Sequence, residues 1–160
     1  MTSTIPKTCN GLLCLFHFNQ FCVSLWNPSI NLKSKRSPAI VSRHDNIVRY
    51  LGFGYDQLND NYKVVVGVSS LNDYTKTVTK IYTFGENSWK TLHNFPDNRC
   101  TYFGKSVSCT LNWILSKDGL CFNNEVILSF DLEKETHGEV MLPQHDCNSV
   151  FNHGMFVLSD

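Results

Sequence analysis

Apolar and polar residues alternate along most of the chain with the period of a β-strand, and helical periodicity is hard to find. Residues 61–70, NYKVVVGVSS, have one face of aromatic and β-branched residues: Tyr62, Val64, Val66 and Val68. Val65 on the opposite face predicts burial on both sides, as in a strand that lies between two sheets. Clusters of Asn, Asp, Gly, Ser and Pro separate the apolar runs and predict turns. The pattern indicates an all-β protein.

Three segments share one order of features, which is an apolar strand, an aromatic residue near its end, a polar turn and a shorter strand. They are FCVSLWNPSINLKS (21–34), TVTKIYTFGENSWKTL (77–92) and EVILSFDLEKETHGEVML (125–142). Another apolar strand precedes each of them, at 11–16, 62–68 and 106–115. Trp26, Tyr82 and Phe130 are the equivalent aromatic anchors. They recur about every 50 residues, a period that is typical of propeller blades.

A meander of three or four strands has two faces and cannot bury both by itself, whereas stacked meanders bury the side chains between them. We therefore expect Trp26, Tyr82 and Phe130 to fill the layers between neighbouring sheets, where burial of each ring contributes about 2 to 3 kcal/mol. The predicted fold is an incomplete β-propeller-like array of about three blades. A β-sandwich is the competing architecture.

Several distinctive motifs follow one another along the chain: CNGLLCL (9–15), LWNPS (25–29), GFGYD (52–56), NYKVV (61–65), KIYTFGENSWKTL (80–92) and VILSFDLEKETHGEVMLP (126–143). In series they resemble the plant F-box-associated, kelch-like domain. The resemblance implies a β domain over 9–143, after a tail of residues 1–8, with 144–160 as the start of a further blade or a C-terminal tail. SCTLNWI (108–114) departs from the family, which has an Asn-Gly turn there, and leaves the register of the third unit open.

Members of this family capture a target protein, while a helical F-box upstream binds the Skp adaptor of a cullin-based ubiquitin ligase. The resemblance therefore implies a non-enzymatic, protein-binding module for substrate recognition. Since the sequence begins almost at CNGLLCL, we expect a truncated family member that does not bind the Skp adaptor. About three blades cannot close and protect their edges, so we also expect the isolated chain to associate or precipitate.

Residues with catalytic or metal-binding chemistry are scattered. His137, His145, Cys147 and His153 lie too irregularly for a zinc site, and Glu133 and Glu135 share a turn that predicts solvated charges. Gly52 and Gly54 in GFGYD predict a bulge or close packing of sheets rather than a phosphate loop. We expect no cofactor, no metal and no enzymatic activity. The alternative is a fragment of a carbohydrate-binding or hydrolytic β-propeller.

The formal net charge is +0, which argues against nucleic acid or a membrane surface as a partner. Residues 1–44 nevertheless hold basic side chains and no acidic ones. This predicts a solvated basic loop around Lys33, Lys35, Arg36 and Arg43, with a docking patch for an acidic partner as the alternative. Seven cysteines without a Cys-x-x-Cys pair, and a start without a signal sequence, predict an intracellular protein, cytoplasmic or nuclear.

Loops at the rims of the predicted blades are the places where a propeller presents binding residues on a rigid scaffold. SSLNDYTK (69–76) and DNRCTYFGK (97–105) are the candidate segments. Tyr and Arg are enriched in binding hot spots. We therefore select Tyr74, Arg99 and Tyr102 as candidate residues for binding a target protein, whose identity the sequence leaves open.

Overall fold

A computed structural model of the chain describes residues 4–41, 45–96, 99–100, 103–116 and 125–142. In this part of the chain the backbone forms 13 β-strands and no helix. The strands make three antiparallel sheets, and strands that follow one another in sequence are neighbours except for one short strand of the third sheet. The prediction of an all-β array of three stacked meanders is confirmed.

The first sheet contains β1 (Thr4–Cys9), β2 (Leu12–His17), β3 (Cys22–Asn27) and β4 (Leu32–Lys33). The second contains β5 (Asn46–Asp56), β6 (Asn61–Ser70), β7 (Asp73–Thr83) and β8 (Lys90–Leu92). The third contains β9 (Arg99–Cys100), β10 (Lys105–Val107), β11 (Thr110–Ser116), β12 (Glu125–Asp131) and β13 (Thr136–Met141). β1 thus lies mostly in the segment that the sequence assigned to a tail. β9 and β10 both pair with β11.

Strand β6 is buried on both faces, because the second sheet lies between the other two. Val64, Val66 and Val68 belong to a first core, which the first and second sheets share. Val65 belongs to a second core, which the second and third sheets share. The two-sided burial predicted from the valine run is confirmed.

Gly52 in β5 allows the second and third sheets to approach closely. A Cβ atom at this position would lie only 2.5 Å from Cζ2 of Trp113, a ring that is fully buried in the second core. The close packing predicted for the GFGYD motif is therefore confirmed. The bulge of β5 lies elsewhere, between Val48 and Tyr50.

The three aromatic anchors all lie in the third strand of a meander: Trp26 in β3, Tyr82 in β7 and Phe130 in β12. Tyr82 belongs to the first core and Phe130 to the second core, as predicted. The prediction for Trp26 is wrong, because its ring is only partly buried and belongs to neither core. Its neighbour Leu25 packs on the first core, so Trp26 points to the opposite face of the first sheet. No other described sheet packs on that face.

Equivalent two-residue turns join the first two strands in the first and third sheets. Asn10 and Gly11 have φ values of 49° and 75°, and Ser108 and Cys109 have φ values of 42° and 63°. Two successive positive φ values define the type I′ hairpin turn, for which Asn-Gly is the favoured pair. Ser108-Cys109 therefore replaces the Asn-Gly turn of the family without changing the register, since Val107 still pairs with Thr110.

We expect the double substitution Ser108→Asn/Cys109→Gly to raise the free energy of unfolding by about 1 to 2 kcal/mol, because Asn and Gly adopt positive φ at lower cost. Urea unfolding followed by tryptophan fluorescence measures the change. The reverse exchange, Asn10→Ser/Gly11→Cys, is the matched control and should lower stability by a similar amount. An unchanged stability in both variants would contradict the equivalence of the two turns.

Candidate functional site

The two ends of the array differ because the strands of each meander alternate in direction. At one end, here called the hairpin end, lie the turns at 10–11, 57–60 and 108–109. They join β1 to β2, β5 to β6 and β10 to β11. At the other, here called the crossover end, the chain passes from the last strand of one sheet to the first strand of the next. The turns at 18–21 and 71–72 also lie at the crossover end.

The topology brings parts of the two predicted binding segments to the same end. Tyr74 is the second residue of β7 and follows the turn at 71–72 directly. Arg99 lies in β9, where its backbone pairs with Ser116 at the end of β11. Both backbone positions are at the crossover end. Tyr102 lies outside the described residues.

The connection between the first and second sheets carries the exposed basic side chains Lys35 and Arg36 after Lys33 at the end of β4. Its backbone is nevertheless held in place, because the N–H of Ser37 donates to the Val23 carbonyl at 2.8 Å. The ammonium group of Lys80 also donates to the carbonyl of Ile40 at 2.7 Å. The solvated basic side chains thus lie on or beside a segment whose backbone is fixed, residues 34–41, here called the strap. Arg43 is outside the described residues.

A buried charge network joins the second and third sheets at the hairpin end. The Nζ atom of Lys63 lies 2.8 Å from Oδ2 of Asp56 and 3.2 Å from Oε1 of Glu135. It also donates to the carbonyl of Leu132 at 2.7 Å. Glu135 in turn pairs with Lys90. The expectation of solvated charges is therefore wrong for Glu135, whose side chain is only 22% exposed.

Hydrogen bonding controls the pKa values in this network. Burial by itself raises the pKa of Asp56, but hydrogen bonds from Lys63 and Asn59 outweigh it and hold the pKa below the usual 3.8. Burial also opposes the charge of Lys63, but hydrogen bonds to Asp56 and Glu135 raise its pKa above 10.5. Burial also raises the pKa of Glu135, but hydrogen bonds from Lys90 and Lys63 lower it below 4.5. Asp56, Lys63 and Glu135 therefore all stay charged at neutral pH. The network joins the second and third sheets by ion pairs and a hydrogen bond. None of these three groups changes its charge near pH 7, as acid–base chemistry would require.

Within the described ranges, no group of three or more His, Cys, Asp or Glu side chains is placed to hold a metal ion. Of the possible zinc ligands noted in the sequence, His137 packs its ring 5.5 Å from that of Phe95. His145, Cys147 and His153 lie outside the described residues. The described part of the chain also has no helix of the length and apolarity needed to cross a bilayer.

Strands β1, β5 and β10, one from each sheet, lie side by side. β5 contacts both β1 and β10, and the N–H of Gly104 donates to the carbonyl of Leu51 at 2.8 Å. Antiparallel meanders that stack face to face and meet at their first strands define a protein of the β-propeller class. The chain belongs to the F-box associated beta propeller domain family, whose pattern it matches over residues 2–159.

Two relatives of the chain are plant proteins. It is 30% identical over 145 residues to the F-box/kelch-repeat protein At3g23880 of Arabidopsis thaliana, an alignment that covers 87% of this chain and 38% of the relative. It is 31% identical over 159 residues to a second Arabidopsis thaliana protein, which is named as an F-box protein (At3g16210), with 96% of this chain and 39% of the relative covered. The chain thus spans less than two fifths of each relative.

Proposed function

We propose that this chain is a non-enzymatic module that captures a target protein, as in the substrate-recognition subunits of cullin-based ubiquitin ligases. The observation that carries the proposal is the family match over residues 2–159. The F-box names of the relatives support the link to a ligase. In this role the module binds, and the transfer of ubiquitin is left to other subunits.

The scaffold supports target binding at the crossover end. Three sheets with two packed cores hold the described strands in fixed relative positions, which lowers the entropy cost of binding. The backbone positions of Tyr74 and Arg99 both lie at this end. We infer that the target docks there, and that the hairpin end, where the buried Lys63 network joins two sheets, serves stability.

The proposal extends to the compartment. The cysteines that the structure describes as free thiols are Cys9, Cys14, Cys22 and Cys109. Burial raises the pKa of the Cys22 thiol, which keeps it in the unreactive protonated form. These features suit a reducing compartment such as the cytoplasm or the nucleus.

We expect the target to be lost when the crossover end is altered. Affinity capture from plant extract with quantitative mass spectrometry compares the unaltered chain with Tyr74→Ala/Arg99→Ala. Truncation of two hot-spot residues should weaken capture of a true target at least about tenfold. Leu58→Ser is the matched control, because Leu58 is 76% exposed at the hairpin end. If the control loses the same proteins, or neither variant loses any, docking at the crossover end is refuted.

A further inference from the structure

Two lysines from different sheets converge where the first strands meet. Lys7 lies in β1, and its ammonium group sits 3.7 Å from the centroid of the Phe103 ring, which belongs to the segment entering β10. Lys105 is the first residue of β10. Two positions further along β1, the Cys9 side chain lies close to that of Ser106 in β10. The first and third sheets therefore meet along this line, here called the inner edge.

The positive charge at the inner edge has no counterion among the described residues. The ion pairs of the described lysines involve Lys63, Lys90 and Lys134, and neither Lys7 nor Lys105 takes part in one. Both side chains are half-buried. Burial and then the charge of Lys105 lower the pKa of Lys7, so the structure holds two like charges together at a cost.

This arrangement suits an oxyanion. Charge-assisted hydrogen bonds from two ammonium groups satisfy a carboxylate or phosphate, and the bound anion removes the repulsion between them. The Phe103 ring supports Lys7 by a cation–π contact, which positions the ammonium group without neutralising it. Both lysines project from strands, so their backbone positions are fixed before an anion binds.

We propose that Lys7 and Lys105 form an oxyanion-binding site at the inner edge, which takes a carboxylate or phosphate group. The oxyanion is either a free anion or an acidic side chain of a bound peptide. The second source rests on the proposed capture of a target protein, whereas the first is independent of it.

Isothermal titration of the full chain with inorganic phosphate at low ionic strength tests the site. The variant Lys7→Gln/Lys105→Gln should bind phosphate at least about tenfold more weakly, because it removes both charge-assisted bonds. Lys7→Arg/Lys105→Arg retains both charges and should bind within about threefold of the unaltered chain. Lys35→Gln/Arg36→Gln removes two exposed charges from the strap and should bind as the unaltered chain does.

The folded state of each variant is checked by its thermal unfolding. Lys105→Gln alone leaves the contact of Lys7 with Phe103 intact, and it should still weaken phosphate binding if the double variant does not fold. Equal phosphate affinity in the unaltered chain and in Lys105→Gln would overturn the site. An equal loss of affinity in Lys35→Gln/Arg36→Gln would also overturn it, because the effect would then be one of net charge.

A second titration separates the two sources of the oxyanion. Hexaglutamate with blocked ends should bind and compete with phosphate if the site takes acidic side chains, and hexaglutamine should not bind. Phosphate binding without hexaglutamate binding assigns the site to a free anion. Absence of both overturns the oxyanion site but leaves target capture at the crossover end untouched, since that experiment alters different residues.

Discussion

Lys63→Met is expected to lower the free energy of unfolding by about 3 to 5 kcal/mol, because it leaves a buried carboxylate without its partner. The side chain of Asp56 is 0% exposed and that of Lys63 only 6% exposed. The substitution also removes the donor to the Leu132 carbonyl, which links the second sheet to the third. Urea unfolding of the two proteins, followed by tryptophan fluorescence, measures the difference.

Two further variants show whether burial causes this loss. Lys90→Met removes the other ion pair of Glu135, but the Lys90 side chain is 65% exposed. We therefore expect it to lower the free energy of unfolding by about 1 kcal/mol or less. Lys63→Met/Asp56→Asn removes both buried charges and should recover most of the stability. Equal losses of stability in Lys63→Met and Lys90→Met would show that the buried ion pair contributes no more than the exposed one.

The pH dependence of the free energy of unfolding gives an independent check that the buried ion pair stabilises the folded state. Because the pKa of Asp56 is lowered in the folded state, its contribution is present above 3.8 and is lost as pH falls through the lowered value. The raised pKa of Lys63 makes its contribution present below 10.5 and lost at higher pH. In Lys63→Met, Asp56 is buried without its cation, so acid should favour folding. The stability difference between the two proteins should therefore shrink as pH falls, first through the raised pKa of Asp56 in the variant and then through the lowered pKa of Asp56 in the unaltered protein.

Trp113→Ala should be comparably damaging, with a loss of about 3 to 5 kcal/mol. The ring is 0% exposed in the second core, 5.8 Å from that of Tyr50 and 6.1 Å from that of Phe95. Its removal leaves a cavity between two sheets whose spacing is set partly by the close approach of Gly52. Urea unfolding followed by circular dichroism measures the change without relying on the deleted fluorophore.

Trp26→Ala is the matched control, since the same side chain is removed from a partly exposed position. Trp26 donates from Nε1 to Oδ1 of Asn31 at 3.3 Å and has Lys33 5.4 Å from its ring centroid. Contacts of this exposed kind are worth about 1 kcal/mol or less in total. A loss as large as that of Trp113→Ala would mean that Trp26 is a core residue after all.

Local patterns in the sequence predicted the strands and much of their packing. The valine run of β6 showed burial on both faces, because alternate residues of a strand face opposite sides and both sets were apolar. The recurrence of Trp26, Tyr82 and Phe130 marked equivalent strands of the three meanders, which are the third strands in the structure. Ser108-Cys109 escaped prediction as a type I′ turn, because neither residue type favours positive φ.

The candidate site was predictable only in part. The segments 69–76 and 97–105 were chosen for their composition, and the topology then brought the backbone positions of Tyr74 and Arg99 to the crossover end. The lysines of the inner edge gave no signal in sequence, because Lys7 and Phe103 are far apart along the chain and meet only when the sheets stack. A scattered pair of lysines looks like ordinary surface charge until burial and distance are known.

The sequence alone determined the class of fold, the number of meanders and the family, because these depend on short-range alternation, turn residues and repeated motifs. The tertiary structure decided which face of each sheet is covered, so that Tyr82 is core while its equivalent Trp26 is not. It also decided the pairing of Lys63 with Glu135, 72 residues away. Such contacts depend on how whole sheets stack, and side chains that meet across an interface between sheets leave no periodic trace in the chain.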